Sequence, residues 1–199
     1  MPQHGLPITK LAVLGLYVIP LCLPFVLPEL SREPVAEQPV PQNDARETAV
    51  EPIATIDNTV LAAIDVPTDD LPNHQKCLAQ AVYFEARSEP PEGQVAVAQV
   101  ILNRVKSPRY PSTICAVVFQ NEWWRHRCQF SFACDGRSDN PKEQAAWERS
   151  KRVALLVLTA NVEDFSAAAT HYHANYVKPY WADRLQATAH LGRHVFYRE

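Results

Sequence analysis

The chain has 199 residues, of which 47% are apolar, so it can form one well-packed domain and still leave residues for targeting and linker segments. Its formal net charge is −3. Aromatic residues are interleaved with basic ones only in the short run from Trp123 to Arg127, which is too little for a nucleic-acid-binding surface. We therefore expect no nucleic-acid partner.

Residues 1–28 are predicted to be an N-terminal membrane anchor or signal segment. They contain an uncharged apolar run, Leu11 to Pro28, which as a helix is roughly 27 Å long and nearly spans a bilayer core. Pro20 and Pro24 weaken such a helix, so the run also fits the apolar region of a cleaved signal peptide. No A-x-A cleavage site follows it. We favour an uncleaved anchor and expect an exported protein on the periplasmic face of the inner membrane, or a secreted one if cleavage occurs.

Residues 29–72 are predicted to be a disordered, acidic, Pro-rich linker. They carry ten acidic side chains against two basic ones, six prolines and no glycine. A segment of this composition does not bury enough surface to order itself. One short apolar piece, Val60 to Ile64, is compatible with a transient helix or a docking segment. The linker is expected to hold the following domain away from the membrane.

Residues 73–199 are predicted to be the folded catalytic domain. Leu78, Val82 and Glu85 recur at positions i, i+4 and i+7. This spacing predicts a helix from about Gln75 to Arg87 that carries Glu85 on its apolar face. Two prolines follow and end the helix.

Further helices and two strand segments follow along the domain. Apolar spacing predicts a helix over 92–106, a cap at Ser112 predicts a short helix to about 120, and Asn140 before a proline predicts a long helix to about 160. Thr170 to Tyr172 and His194 to Tyr197 have strand character, with a glycine bend just before the second. The expected fold class is mainly α, of the α+β type, with a small β element.

Glu85 is the candidate catalytic acid. Cleavage of a glycosidic bond needs a proton on the leaving oxygen, and a carboxylic acid supplies it near neutral pH only if an apolar setting raises its pKa. A place on the apolar stripe of a helix, next to Phe84, offers that setting. The alternative is a structural role in which the Glu85 carboxylate pairs with Arg87 or Arg104.

Five sequence blocks carry a resemblance to a known family. Between Cys77 and Tyr197 stand, in order, CLAQAVYFEARSEPPEGQVAVAQVILNRV, YPSTICAVVFQN, CQFSFACDG, HYHANYV and HLGRHVFY. They closely resemble the SleB-type cell wall hydrolases. The resemblance implies a compact, lysozyme-like and resuscitation-promoting-factor-like domain that cleaves peptidoglycan between MurNAc and GlcNAc. The family's essential glutamate falls on Glu85, whereas most relatives carry Gly where this chain has Ser88.

The resemblance also implies a mechanism, lytic transglycosylation, in cell-wall remodelling. One glutamate protonates the leaving oxygen and then, as a carboxylate, takes the proton of the MurNAc C6 hydroxyl, so that a 1,6-anhydro end forms. One carboxylate suffices because the attacking oxygen belongs to the substrate. Ordinary hydrolysis, as in a muramidase, needs a second carboxylate, for which Glu89 and Glu92 are the candidates.

Candidate substrate-binding residues lie in three of the blocks. Gln129, Phe130 and Ser131 form the QFS sequence, whose amide, ring and hydroxyl suit sugar faces and hydroxyl groups. Tyr172 is favoured over its neighbour His173 because strand alternation exposes only one of the two to the cleft. Glu89 is also a candidate substrate contact.

Cysteine spacing predicts two disulfides and an oxidising compartment. Cys22 lies in the apolar run, and four cysteines remain in the domain: Cys77, Cys115, Cys128 and Cys134. Zinc binding is disfavoured because no C-x-x-C pair is present. Three connectivities are possible, and we favour Cys77–Cys115 with Cys128–Cys134, since the second pair closes a short loop in a polar, Gly-containing region.

Two other classes of function remain open. His171, His173, His190 and His194 are metal-ligand types, but they lack the H-E-x-x-H spacing of a metal-dependent wall peptidase. We therefore expect no metal and no cofactor. A catalytically silent peptidoglycan-binding module would share the resemblance without cleavage. In each case the expected partners are peptidoglycan strands and, through residues 1–28, the membrane.

Overall fold

The computed structural model of the chain describes residues 51–66, 70–125 and 127–199. The segment predicted as an anchor, residues 1–28, lies outside these ranges, as does the first part of the predicted linker. Within the described ranges, no helix combines the length and the apolar character needed to cross a membrane.

Helices are the main type of regular structure in the described part of the chain. The α-helices are α1 (Asn58–Ala62), α2 (Asn73–Ala86), α3 (Pro91–Lys106), α4 (Ile114–Val118) and α5 (Gln144–Thr159). Short 3-10 helices cover Ser131–Cys134 and Ala182–Arg184. The two helices predicted first along the domain, from about Gln75 to Arg87 and over 92–106, correspond to α2 and α3.

Helix α2 lies at the centre of the helical layer and packs against α3, α4 and α5. Its apolar stripe is fully buried, with Leu78 and Val82 at 0% exposure. Val95 and Ile101 of α3 and Val153 of α5 complete the same core cluster. Burial of each such aliphatic side chain contributes about 1.5–3 kcal/mol, so this cluster fixes the position of the α2 backbone.

A three-stranded antiparallel sheet packs beside the helices. Its strands are β1 (His171–Ala174), β2 (Gln186–Leu191) and β3 (His194–Arg198), in the order β1-β3-β2. Strand β3 is central because it pairs with both neighbours, and Tyr172 of β1 lies opposite Phe196 of β3. The fully buried Phe196 ring joins the sheet to α3. The strand β2 was not predicted from the sequence, since its exposed edge position leaves little apolar alternation.

Residues 51–66 pack on the domain, although the sequence placed them in the disordered linker. Ile56 and Leu61 are buried at 2% exposure each. The backbone N–H of Ile53 donates to Asn161 O at 2.8 Å, and the Arg152 Nε–H donates to Ile64 O at 3.2 Å. Helix α1, which overlaps the predicted apolar piece, is therefore part of the folded unit, and this unit begins on the N-terminal side of residue 73.

Two helix starts differ from the prediction. Thr113, rather than Ser112, caps α4, because its side-chain oxygen accepts from Ala116 N at 3.3 Å. Helix α5 begins at Gln144 and not near Asn140. The Tyr83 hydroxyl accepts hydrogen bonds from the backbone N–H groups of residues 142 and 143, at 3.0 Å each, and holds this stretch outside the helix.

Two disulfides occur among the described residues, with the connectivity that the sequence favoured. Cys77–Cys115 ties α2 to α4. Cys128–Cys134 links two residues six positions apart in the segment between α4 and α5. The first bond joins core elements, whereas the second holds a surface loop.

Candidate active site

Glu85 lies in the last turn of α2, with its side chain half-buried at the floor of a cleft. Burial raises the pKa of the Glu85 carboxyl, because the charged form loses solvation. A hydrogen bond from Tyr172 and the positive charge of Arg104 act in the opposite direction and lower that pKa. A carboxylic acid with a raised pKa and access to a cleft is suited to general acid catalysis.

Tyr172 holds one oxygen of this carboxyl group. Its hydroxyl donates to Glu85 Oε2 at 3.1 Å from strand β1. The ring packs beside Phe196 and His194, with centroids 5.8 and 5.0 Å away. Burial, and then the charge of Glu85, raise the pKa of Tyr172 well above its ordinary value, so the hydroxyl stays a neutral donor. Tyr172 thus positions Glu85, a different role from the predicted contact with substrate.

Arg104 of α3 brings a buried positive charge to the site. Its Nε–H donates to Thr170 O at 2.7 Å, and the guanidinium lies 5.3 Å from the Tyr110 ring and 5.5 Å from the Phe130 ring. With its amide oxygen turned towards Arg104, Gln129 accepts from the two terminal guanidinium nitrogens at 3.0 and 3.3 Å. Arg104 therefore has fixed partners and acts on Glu85 through its charge rather than through a direct ion pair.

The cleft in front of Glu85 has a volume of about 420 Å³. One wall is aromatic, with Tyr83, Phe84 and Phe132. The remaining wall is polar and comprises Arg87, Ser131, Asp135, Arg137, Ser138, Asp139, Asn140, Lys142 and Glu143. Across this wall Arg87 Nε and Glu143 Oε1 form an ion pair at 3.0 Å. Such a mixture of ring faces and hydrogen-bonding groups suits a polar, ring-shaped ligand.

The QFS sequence divides between three environments. Ser131 lines the cleft, and its contact with substrate stays a prediction. Phe130 does not: its ring is buried at 3% exposure and packs on Arg104, which makes it a core residue. Gln129 faces Arg104 and acts on the site through that partner. The aromatic cleft contact in this region comes from Phe132, whose ring stacks on Phe84 with centroids 4.7 Å apart.

Glu89 was predicted as a substrate contact, and its surroundings contradict that role. The carboxylate is buried, its Oε1 accepts from Arg193 Nε at 2.9 Å, and its Oε2 accepts from Arg193 N at 2.8 Å. Glu89 therefore anchors the turn between β2 and β3 to the end of α2. Glu92 lies in the first turn of α3, outside the residues that line the cleft.

The polar wall formed by residues 135–143 was not predicted from the sequence. The sequence signal for this wall was the polar, Gly136-containing stretch that begins after Cys134. Loops tied to a rigid scaffold commonly carry binding residues. Within this wall, the pKa of Asp139 is raised, mainly by burial and then by the neighbouring charges of Asp135 and Glu122. The wall is held near Glu85 by Tyr83, whose hydroxyl accepts hydrogen bonds from the backbone N–H groups of residues 142 and 143. Sequence spacing does not reveal such a contact between distant segments.

His171, His173 and His194 make ring contacts with Trp181 or Tyr172. His173 Nε2 lies 3.0 Å from the Tyr197 hydroxyl, and burial lowers the pKa of His194. In the described ranges, no three side chains of His, Cys, Asp or Glu come together in a way that could hold a metal ion.

The sequence of this chain matches that of a known protein family. Residues 88–197 match the cell wall hydrolase family Hydrolase_2. The chain belongs to the cell wall hydrolase family. The matched range begins three residues after Glu85 and does not include it. The mainly helical fold with a small sheet, expected for a SleB-type domain, is confirmed.

Two curated relatives and one solved structure show how far the similarity extends. The spore cortex-lytic enzyme of Halalkalibacterium halodurans is 35% identical over 67% of this chain and 37% of its own length. That of Bacillus subtilis is 31% identical over 67% of this chain and 40% of its own length. The solved catalytic domain of the germination-specific lytic transglycosylase SleB from Bacillus anthracis is 30% identical with a TM-score of 0.52. That match covers 67% of this chain and 100% of the solved domain. The chain thus spans about two fifths of the curated relatives' length.

Proposed function

We propose that this chain is a peptidoglycan-cleaving glycosidase that acts between MurNAc and GlcNAc, with Glu85 as its catalytic acid. The observation that carries this proposal is a carboxyl group with a raised pKa at the floor of the 420 Å³ cleft. Membership of the cell wall hydrolase family agrees with it. So does the similarity to a domain described as a lytic transglycosylase.

Glu85 first acts as an acid. The Tyr172 hydroxyl holds Oε2, so the acidic proton resides on Oε1. That proton passes to the glycosidic oxygen as the bond from MurNAc C1 to this oxygen breaks, and the sugar ring gains oxocarbenium character. Glu85 is left as a carboxylate, which the Tyr172 hydrogen bond and the Arg104 charge stabilise.

Glu85 then acts as a base, and this step gives the transglycosylase reaction. The carboxylate accepts the proton of the MurNAc C6 hydroxyl while the C6 oxygen bonds to C1 of the same sugar. A 1,6-anhydro end forms, Glu85 regains its proton, and no water is consumed. Support for this step comes from Glu89, whose two oxygens are held by Arg193 and do not serve as a second base in the cleft.

Hydrolysis, as in a muramidase, is the second candidate reaction. It is favoured by the carboxyl groups of Asp135 and Asp139, which line the same cleft and offer a base for an attacking water. Mass spectrometry of released muropeptides separates the two reactions, because anhydro ends are lighter than reducing ends by one water. Anhydro ends support transglycosylation, and reducing ends support hydrolysis.

The function itself is tested by replacing the acid. Glu85→Gln is expected to abolish muropeptide release from purified peptidoglycan with an unchanged circular dichroism spectrum. Glu92→Gln, a carboxylate on α3 outside the cleft, is the control and should keep full activity. Unchanged release by Glu85→Gln would contradict the assignment. Sedimentation of the unmodified chain with peptidoglycan and no product under any condition would leave only a binding module.

We also propose that the protein is exported and held at the membrane by residues 1–28. The two disulfides support an oxidising compartment, and the apolar run supports a segment that enters the membrane. Cell fractionation is the test, and recovery in the membrane fraction with an intact N-terminus is expected. A soluble, N-terminally trimmed protein would show cleavage instead of anchoring.

A further inference from the structure

Two tryptophans lie exposed on the loop between α4 and the Cys128–Cys134 disulfide. Trp123 is 77% exposed and Trp124 46% exposed, and their rings stack with centroids 5.5 Å apart and an angle of 13°. The Arg127 guanidinium lies 4.6 Å from the Trp124 ring. Trp124 therefore contacts both another indole and a cation, while Trp123 remains the more exposed of the two rings.

Residues 121–125 and 127 of this loop are called the Trp loop. The backbone N–H of Gln129 donates to Gln120 O at 3.0 Å and closes the loop. A second cavity of about 260 Å³ lies next along the chain and is lined by Cys128, Ser131 and Asp135. Ser131 and Asp135 also line the main cleft, so the cavity continues the cleft towards the Trp loop.

We propose that Trp123 is a stacking platform for a sugar ring of the glycan strand, outside the catalytic cleft. The proposal rests on the proposed function, because it needs a polymeric substrate longer than the cleft. The face of a pyranose ring carries C–H groups that pack on an indole, and exposed Trp supplies a large contact area with few rotatable bonds. Trp124 and Arg127 hold the platform in place before the glycan arrives.

The surroundings favour a glycan over a lipid surface. Residues 121–127 contain no aliphatic side chain, whereas interfacial membrane contacts combine Trp with Leu or Phe that enter the acyl region. The Arg127 guanidinium lies 4.6 Å from the Trp124 ring, and its charge is costly to carry into the acyl region. Arg125 is exposed beside the pair and carries a charge that complements the carboxylates of peptidoglycan stem peptides.

Binding is measured separately from cleavage by co-sedimentation of the full chain with purified peptidoglycan. All variants carry Glu85→Gln, so that the polymer stays intact. Trp123→Ala is expected to weaken binding about three- to tenfold, the loss typical of one aromatic contact. Trp123→Phe should keep most of the affinity. The control is Tyr180→Ala, an 84% exposed aromatic residue outside the Trp loop, which should leave binding unchanged.

Turnover gives a second, independent result. With Glu85 intact, Trp123→Ala is expected to raise KM on long glycan strands and to leave cleavage of a short tetrasaccharide unaltered. Sedimentation reports binding alone, so its result stands even where the catalytic assignment fails.

Two outcomes would overturn the proposal. One is equal binding of the Trp123→Ala and parent chains to peptidoglycan and also to phosphatidylglycerol vesicles, which would give the Trp loop no binding role. The other is equal binding to peptidoglycan but weaker binding of Trp123→Ala to the vesicles, which would make the Trp loop a membrane contact.

Discussion

The Tyr172 hydroxyl donates a hydrogen bond to Oε2 of Glu85 at 3.1 Å and thereby joins strand β1 to the last turn of α2. The two residues lie 87 positions apart in the chain. Glu85 thus has a fixed orientation towards the cleft, and its proton affinity is set by burial against one neutral donor and one buried cation. This relationship determines how the proposed acid and base steps depend on pH and on substitution.

Removal of the hydroxyl should slow the reaction and raise the pKa of Glu85. Tyr172→Phe deletes a hydrogen bond that favours the carboxylate, so the base step loses support. We expect kcat to fall about 10- to 100-fold, which corresponds to about 1.5–3 kcal/mol for a hydrogen bond to a charged group. The pH–rate profile should move to higher pH. Tyr197→Phe, which removes the hydroxyl that meets His173, is the control. An unshifted profile in Tyr172→Phe would contradict the positioning role.

The raised pKa of Glu85 also makes a prediction about stability. The folded chain holds the Glu85 proton more tightly than the unfolded chain does, so this contribution to stability is present below the ordinary pKa of 4.5. It is lost as pH rises through the raised, folded-state pKa. Glu85→Gln should therefore unfold at a higher urea concentration than the unmodified chain at pH 8, and the difference should vanish below pH 4.5. An equal difference at both pH values would show that Glu85 is not destabilised by burial.

The parts of the fold that local pattern determines were predictable from the sequence. Leu78 and Val82 mark the buried stripe of α2, and that stripe fixes the face on which Glu85 lies. The cysteine count and spacing favoured the two disulfides for a similar reason, since a short polar loop suits the Cys128–Cys134 pair.

The remainder of the site depends on contacts between distant segments, which no spacing encodes. Glu89 reads as a free acid beside Glu85, but its partner Arg193 lies 104 residues further along the chain. Phe130 was predicted to contact a sugar, but its ring packs on Arg104 of α3. The onset of α5 was predicted too early because Lys142 and Glu143, just before the helix, donate their backbone N–H groups to the Tyr83 hydroxyl.

Gly192 should be the most sensitive glycine in the domain. It has φ of +57°, and a Cβ at this position would overlap the Glu89 carboxylate that holds the hairpin. Gly192→Ala is therefore expected to cost about 3 kcal/mol, of which about 1–2 kcal/mol comes from the left-handed backbone. Gly136→Ala is a matched control, because φ is +79° there and nothing lies within 4 Å of the added Cβ. It should cost only about 1–2 kcal/mol. Urea titration measures both, and equal losses would argue against the Glu89 contact.

The two disulfides should contribute unequally to stability. Cys77–Cys115 spans 38 residues and Cys128–Cys134 only six, so the first restricts the unfolded chain more. The chain-entropy relation gives about 4 kcal/mol for the longer loop and about 2 kcal/mol for the shorter one.

Paired Ser variants and urea titration measure each contribution. Thiol counting on the oxidised, unfolded chain should find only Cys22 reactive, because the other four cysteines are bonded. Five reactive thiols would refute both bonds. For the Cys128–Cys134 pair the loss of activity should be larger than a stability loss of about 2 kcal/mol alone would cause, since residues between these cysteines form the cleft wall at Ser131 and Phe132.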